Sequence, residues 1–500
     1  GFKFVITSSF DIVWQVEKHF GRLDDEEARE RLWADDPMNS AKFVLTGRQK
    51  AVGLVLLLAL TAGFTLRPID TAVLLSAILS VFYLFTFLLK FVLTWIGADH
   101  RVDMRIKPGE VEALKDEDLP LYSILVPMYQ EPDILPVLTN ALRRLDYPRA
   151  KLDIKLVLES GDSATIEAAK SLGCESIFQI IRVPKSEPKT KPKACNYALR
   201  FARGEYVTIY DAEDKPEPDQ LKKVVAAFRK APPEIGCIQA RLNYYNTDEN
   251  FLARMFTLEY SQWFDFLLPG LDVLGIPIPL GGTSNHFKLD VLRKLGAWDP
   301  YNVTEDADLG VRMNAQGWRV GVVNSTTFEE ANTRLGNWIR QRSRWLKGYL
   351  QTYLVHMRRP LALYRSLGHV GFWGLQFFVG GPPLVALINP LLWIVFLWWV
   401  VARDSLAPEL FPPVALYISI FNLLFGNMML MYFGVLAAFK RSYFHLVPYG
   451  LLLPVYWALQ SIAAYKGLWQ LMTAPHYWEK TVHGLSAMTR QEIAERAHAG

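Results

Sequence analysis

“GEYVTIYDAEDKPEPDQLKKVVAAF”, residues 204–228, decides how this chain folds. A short β-prone run, Tyr206 to Ile209, meets the acidic turn “YDAED” at 210–214, and an amphipathic helical stretch follows. Strand, acidic turn and helix occur in the same order twice upstream. “LYSILVPMYQEPDIL” is an apolar strand ending at Pro127, then a polar turn and a helix. “LDIKLVLESGDSATIEAAKSL” is a strand over 154–158, a turn with Glu159 and Asp162, then a helix. Repetition of this unit predicts an α/β domain built on a parallel sheet. Ligands of such sheets gather at the carboxyl ends of the strands, where these acids lie.

Around this domain the chain is apolar. Its 500 residues exceed one ordinary domain. The 54 basic and 50 acidic residues leave a net charge of only +4, too even for a nucleic-acid binder. Charge is absent between Lys50 and Arg67, Asp70 and Lys90, Arg365 and Arg403, Glu409 and Lys440, and Arg441 and Lys466. A bilayer-spanning helix needs roughly 20 mostly apolar residues, and buried core helices rarely stay uncharged for so long. Two spans therefore form a hairpin over 48–98, joined by “RPID”. A polar domain fills 99–350, interfacial and membrane helices fill 351–474, and a charged tail covers 475–500.

Within 351–474 the uncharged run is interrupted at “VGGPP” (379–383), and we expect an interfacial helix followed by one span, then a second span near 413–437. The stretch 445–472, with Pro448 and Pro454, is expected to be interfacial or re-entrant. Lys42, Arg48 and Lys50 precede the hairpin, while Arg101, Arg105 and Lys107 follow it, which places both ends in the cytoplasm. Residues 1–47 read as a strand-like “FKFVI” and a helix capped by Ser8 or Ser9 and ended by Gly21. The opening “GFKFVITSSF” has no signal-peptide pattern and starts as if cut from a longer protein. Cys174, Cys195 and Cys237 lack metal-ligand spacing and read as reduced structural thiols.

In “YDAED”, Asp211, Glu213 and Asp214 would repel one another at a buried strand end unless a cation joined them. Mg²⁺ or Mn²⁺, which also bind phosphates, meet that need. A solvated turn with Asp214 capping the next helix is the plainer alternative. “TED” at 304–306 supplies Glu305 and Asp306, either a general base with its acidic neighbour or simply the first turn of a helix. “QRSRW” at 341–345 puts two arginines and a tryptophan just before the membrane region. Arginine suits a diphosphate through paired hydrogen bonds, and the indole offers a stacking face. An interfacial anchor with snorkelling arginines is the structural alternative.

The order “LVPMYQE”, Glu159, “KPKACN”, “YDAED”, “GGTSNHF”, “TED” and “QRSRW” resembles the membrane-integrated family 2 glycosyltransferases, which include cellulose, chitin and hyaluronan synthases. The resemblance is close over roughly 90–350 and looser beyond. It implies a cytosolic GT-A domain inserted between about four to six transmembrane helices, with interfacial helices. It also implies a UDP-hexose or UDP-N-acetylhexosamine donor. On the family pattern Pro127, Tyr129, Glu131 and Glu159 cradle the nucleoside, and Lys193 helps hold the diphosphate. Asp211 and Glu213 match the metal-binding D-x-D, with Asp214 beside them. Asp306 matches the catalytic base, with Glu305 in the same acidic pair. Gln341 and Arg344 would hold the departing diphosphate. Trp345, Gly281, Gly282 and Thr283 would meet the acceptor.

“PHYWEKTVHG” at 475–484 resembles the gating loop of cellulose synthase, so Trp478, Lys480, Thr481 and His483 would face the donor, Trp478 also serving the acceptor. Two departures stand out: “LESGD” replaces two adjacent aspartates, and Glu213 replaces the last aspartate of D-A-D. “VITSSFDIVWQVEKHFG” resembles the end of the N-terminal domain of type II secretion ATPases, also carried by the inner-membrane glycosyltransferase of a phage N4 receptor. That resemblance implies cyclic di-GMP as a regulator of a mostly missing domain, and an outer-membrane or periplasmic export partner. The expected activity is inverting, processive synthesis of a β-linked polysaccharide at the bacterial inner membrane. Transfer of one sugar to a lipid acceptor, or a silent receptor or scaffold, are the alternatives.

Overall fold

A computed structural model describes residues 9–99, 104–174, 178–402, 411–491 and 493. Strand β1, Tyr122–Met128, is “YSILVPM”, a run without charge that becomes strand because both of its faces are covered. It pairs in parallel with β2, Leu152–Glu159, on one side and with β4, Tyr206–Ile209, on the other. β3, Gln179–Val183, extends the parallel half beyond β2. The sheet then changes character. β7, Asn285–Lys288, runs antiparallel between β4 and β6, Ile235–Tyr244. β8, Arg319–Glu329, pairs in parallel with β6, and the short β5, Lys215–Pro216, closes the edge, giving the order β3-β2-β1-β4-β7-β6-β8-β5.

The sheet is thus α/β and mixed, where repetition of one unit predicted parallel strands throughout. The chain enters β7 through “GGTS”, Gly281 to Ser284, beside the carboxyl end of β4, so β7 can only run back. The consequence is useful: the glycine loop joins the acidic turn at one edge. Apolar clusters cover both faces. One includes Ile209, Phe287, Trp298 and Leu309; the other includes Val126, Leu158, Leu221 and Val224. Cys174, Cys195 and Cys237 are all buried.

Among the described residues four helices are long and apolar enough to cross a membrane: Gly47–Leu66, Pro68–Ala98, Pro360–Trp398 and Pro413–Lys440. A fifth crossing would come from Phe444–Gly450 with Leu453–Thr473, bent by 65° at their break. Pro448 and Pro454 sit in the first turns of the helices Val447–Gly450 and Leu453–Thr473, where a missing N–H costs nothing. “VGGPP” does not break the third helix. A π turn at Gln376–Gly380 absorbs it, and the kink lies earlier, at Gly368 with φ 68°.

The helix Phe251–Gln262 continues through a π turn, Trp263–Leu267, into Leu268–Val273 and binds the α/β unit to the apolar helices. Asp265, fully buried in that turn, accepts from Arg441 at 2.5 and 2.9 Å. Arg241 lies 3.3 Å from the same carboxylate. The first helix, Ser9–Asp35, runs straight through Gly21 instead of ending there. Gly21 is a contact point: a Cβ would stand 3.3 Å from the Tyr197 hydroxyl. “FKFVI” and Ser8 lie outside the described residues.

Candidate active site

Strand ends, the glycine loop and several helices enclose a cavity of about 810 Å³. At its inner end, β1 delivers Pro127, Tyr129 and Glu131, and β2 delivers Glu159. Lys189 lies over the Tyr129 ring at 3.6 Å. Lys193 does not reach this space. It is fully buried and spends its ammonium on Glu159 at 3.1 Å and the Pro184 carbonyl at 3.3 Å. The lysine that enters the cavity is Lys191, one position into the same helix, Lys191–Leu199. It donates to Asp211 at 2.5 Å and to the Gly282 carbonyl at 2.6 Å.

The acidic turn divides its carboxylates by task. Asp211 and Glu213 face the cavity. Asp214 is 1 % exposed and turns away from it. One of its oxygens accepts from the Asp211 backbone N–H at 2.8 Å and from the Thr283 hydroxyl, pinning the turn to the glycine loop. Burial, then repulsion by Asp211 and Glu213, pushes its carboxyl well above the usual range. Asp214 is therefore a structural lock and not a third cation ligand. Glu329, at the end of β8, joins Asp211 and Glu213 in the cavity wall; burial and the neighbouring acids raise it too.

This acid-rich wall fits a divalent cation. Its donors are all oxygen, and Mg²⁺ or Mn²⁺ is usually held by one or two carboxylates plus substrate phosphates rather than by a protein cage. Among the described residues no such closed cage of His, Cys, Asp and Glu exists. Asp211 and Glu213 would hold the ion, and the ion would neutralise charge on a departing diphosphate.

Asp306 and Glu305 open the helix Glu305–Ala315 against the opposite wall. The Trp298 indole N–H donates to Asp306 Oδ1 at 2.9 Å. Oδ2 is left toward Gly282, where a Cβ would stand 4.0 Å from it. Burial raises Asp306 to about 6, opposed by Lys191, and raises Glu305 to about 8, with Asp306 the next cause.

The helix Leu335–His356 brings “QRSRW” to the junction with the apolar helices. Gln341 accepts from Asn332 at 2.8 Å. Arg342, also in the cavity wall, donates to Glu259 and to the Tyr456 hydroxyl. Arg344 lies in the cavity wall over the Trp478 ring at 4.4 Å, and among the described residues its guanidinium makes no hydrogen bond. Trp345 stacks on Tyr260 with one face to the cavity. The segment after Thr473 folds back over this space. Lys480 pairs with Glu131 at 3.3 Å, and His483 with Glu213 at 2.6 Å. The Thr481 hydroxyl is buried in the wall and has no hydrogen-bond partner among the described residues. Asn337 holds the Val482 backbone at 2.9 and 3.2 Å, and Glu330 accepts from Gly484 and Ser486 at 2.6 and 2.7 Å.

The “Glycosyl transferase family group 2” model matches residues 206–460, more than half of the chain, and the “Glycosyl transferase family 2” model matches 123–288. The chain belongs to glycosyl transferase family group 2. Both matches take in the acidic turn, and the longer one takes in “TED” and “QRSRW”. Curated relatives of this family member include two proteins named beta-monoglucosyldiacylglycerol synthase. The one from Trichormus variabilis is 25 % identical over 278 residues, 55 % of this chain and 58 % of the relative. The one from Nostoc sp. is 26 % identical over 266 residues, 52 % of this chain and 55 % of the relative. The chain thus spans little more than half of their length. A mannosyltransferase from Pyrobaculum calidifontis, solved with GDP-Man and Mn²⁺, superposes with TM-score 0.42 at 20 % identity, covering 83 % of this chain and 98 % of that one. S. aureus TarS residues 1–349 with UDP-GlcNAc gives 0.36 at 13 % identity, covering 73 % and 95 %.

Of the residues expected from the family resemblance, all but Lys193 and Asp214 line the one cavity. Lys191, Trp298 and Glu329 were not anticipated. “KTKPKACN” does carry the signal for Lys191, since Pro192 fixes the first helical turn and aims the preceding lysine outward. No spacing rule points to Trp298, whose partner lies across a loop.

Proposed function

We propose that this family 2 protein is an inverting, divalent-cation-dependent glycosyltransferase of the bacterial inner membrane. It moves a hexose or N-acetylhexosamine from a nucleotide-diphosphate sugar to the end of a growing β-linked saccharide, with the α/β unit in the cytoplasm. One observation carries this reading: the cavity that holds Asp306, Asp211 and Arg344 continues between the apolar helices as far as Tyr83 and Asn389. Along the helix Pro68–Ala98, Ser76, Ser80, Tyr83, Thr86, Lys90 and Thr94 recur every three or four residues, a polar stripe on a helix otherwise apolar. Ser80 meets Ser419 at 2.6 Å, and Asn422 donates to the Ser80 carbonyl at 2.8 Å. Such a stripe suits passage of a hydroxyl-rich chain.

Chemically, Asp306 Oδ2 accepts the proton of the acceptor hydroxyl as its oxygen attacks the anomeric carbon. The bond to the diphosphate oxygen breaks on the opposite face, which inverts that centre. Arg344, Lys480 and the Thr481 hydroxyl receive the diphosphate. Trp345 stacks the acceptor ring. Cyclic di-GMP and an export partner, implied by the sequence resemblance, are left out of this reading.

A second reading, transfer of one sugar to a lipid, draws on the names of the curated relatives and on the apolar wall formed by Phe378, Val385 and Leu430. Nucleotide release by the purified protein with a panel of UDP- and GDP-sugars, with Mg²⁺ or Mn²⁺, tests the first reading. Release with one donor and a product ladder supports it. A single lipid-soluble product selects the second reading, and silence with every donor removes both.

A further inference from the structure

Lys90 has no part in the chemistry just described, yet its side chain lines the apolar half of the cavity beside Tyr83, Thr86 and Gln460. Among the described residues it makes no hydrogen bond and no ion pair. The opposite charge acting on it is Glu259. That carboxylate is already occupied: Arg342 donates to both of its oxygens, one at 2.9 Å, Tyr456 donates at 2.8 Å and Gln460 at 3.3 Å. Arg342 holds both oxygens of Glu259, so among the described residues no carboxylate is left to pair with Lys90. An ammonium beside apolar walls is costly to keep without an anion, and ionisable residues inside such helices mark the path of a substrate. The other polar side chains on this stretch of wall, Tyr83, Thr86 and Gln460, are neutral and bring no anion of their own. Lys90 therefore faces open space that lacks an anion.

We infer that this half of the cavity is a subsite for an anionic acceptor, one that brings a carboxylate or a phosphate to Lys90. The inference rests on the cavity being the acceptor's path and adds the class of acceptor. Two sources share the chemistry: an acidic sugar in the saccharide, or a phosphate on a lipid.

The test is equilibrium binding to the full chain in neutral phosphatidylcholine nanodiscs, with two matched pairs of probes. One pair is a glucuronate-containing oligosaccharide and its glucose counterpart; the other is phosphatidic acid and diacylglycerol. In one pair the acidic member binds about tenfold tighter, the scale of one charge-assisted hydrogen bond. The pair that responds names the source. Lys90→Gln abolishes that advantage and Lys90→Arg keeps it. Should Lys90→Gln fail to fold, Lys90→Met removes the charge at similar length. Equal binding within both pairs, or an advantage that survives loss of the charge, overturns the inference. Binding needs no turnover, so inertness toward every nucleotide sugar would count against the transferase reading alone.

Discussion

Asp306 and Glu305 share one buried corner, and the division of labour between them follows from what each touches. The Trp298 N–H and the nearby Lys191 favour the ionised form of Asp306, while burial and the charge of Asp306 favour the protonated form of Glu305. Asp306→Asn preserves shape and removes the base. Turnover should fall by about 10²- to 10⁴-fold while donor affinity, read by calorimetry, stays within about twofold. Equal loss of both would end the base assignment. The sign of the pH effect follows from the ionised form being the active one: with Asp306 raised to about 6, kcat should be flat near neutrality and fall as pH drops through about 6. Lys191 and Lys193 show how narrowly such roles are assigned, since two positions of helix separate a cavity lysine from a fully buried one.

Elements place these groups by close approach. Gly97 ends the second apolar helix where a Cβ would meet the Phe266 carbonyl oxygen at 1.9 Å. Gly97→Ala must therefore part that helix from the π turn below the site. We expect a loss of about 1–3 kcal/mol, read as a lower thermal midpoint in detergent. An unchanged midpoint would mean that the contact yields freely. The segment over the cavity is held differently, by charge. Burial works against the charge of His483, but Glu213 and then Glu131 outweigh it and push the imidazole up to about 10. A folded value above the unfolded one of about 6.5 makes this contact fully stabilising below about pH 6.5 and lost as pH rises through about 10. The segment is accordingly docked at neutral pH. His483→Ala should raise the donor KM by about tenfold, with faster proteolysis after Thr473; an unchanged KM would make the pair ornamental to donor binding.

For the whole molecule, the cavity requires that the α/β unit and the segment 474–486 lie on the same side of the apolar helices, since Lys480 and His483 touch β-strand ends. A cysteine placed at Asp70, in the turn between the first two apolar helices, should react with an impermeant maleimide from the periplasm, and one at Lys115 should not. The reverse pattern would invert the topology. Much of this arrangement is legible in the chain: charge gaps give the apolar helices, and acidic turns after apolar strands give the sheet's functional edge. The reversal at β7 is not legible, because strand direction depends on where the preceding loop docks. The continuity of “VGGPP” within one helix is not legible either, since a π turn leaves no sequence rule.

The sequence alone determined the α/β domain between apolar helices, the identity of the acids at the strand ends, and the “TED” and “QRSRW” positions. These are local matters: periodicity, charge and residue type act over a few neighbours, whatever the rest of the chain does. Tertiary structure alone decided which of Asp211, Glu213 and Asp214 faces the cavity, and that Lys191 enters it while Lys193 is buried. It also decided that Glu259 is taken by Arg342 and leaves Lys90 unmatched. Such outcomes are competitions between partners distant in sequence, settled by burial and by which opposite charge arrives first, and neither quantity exists until the chain has packed.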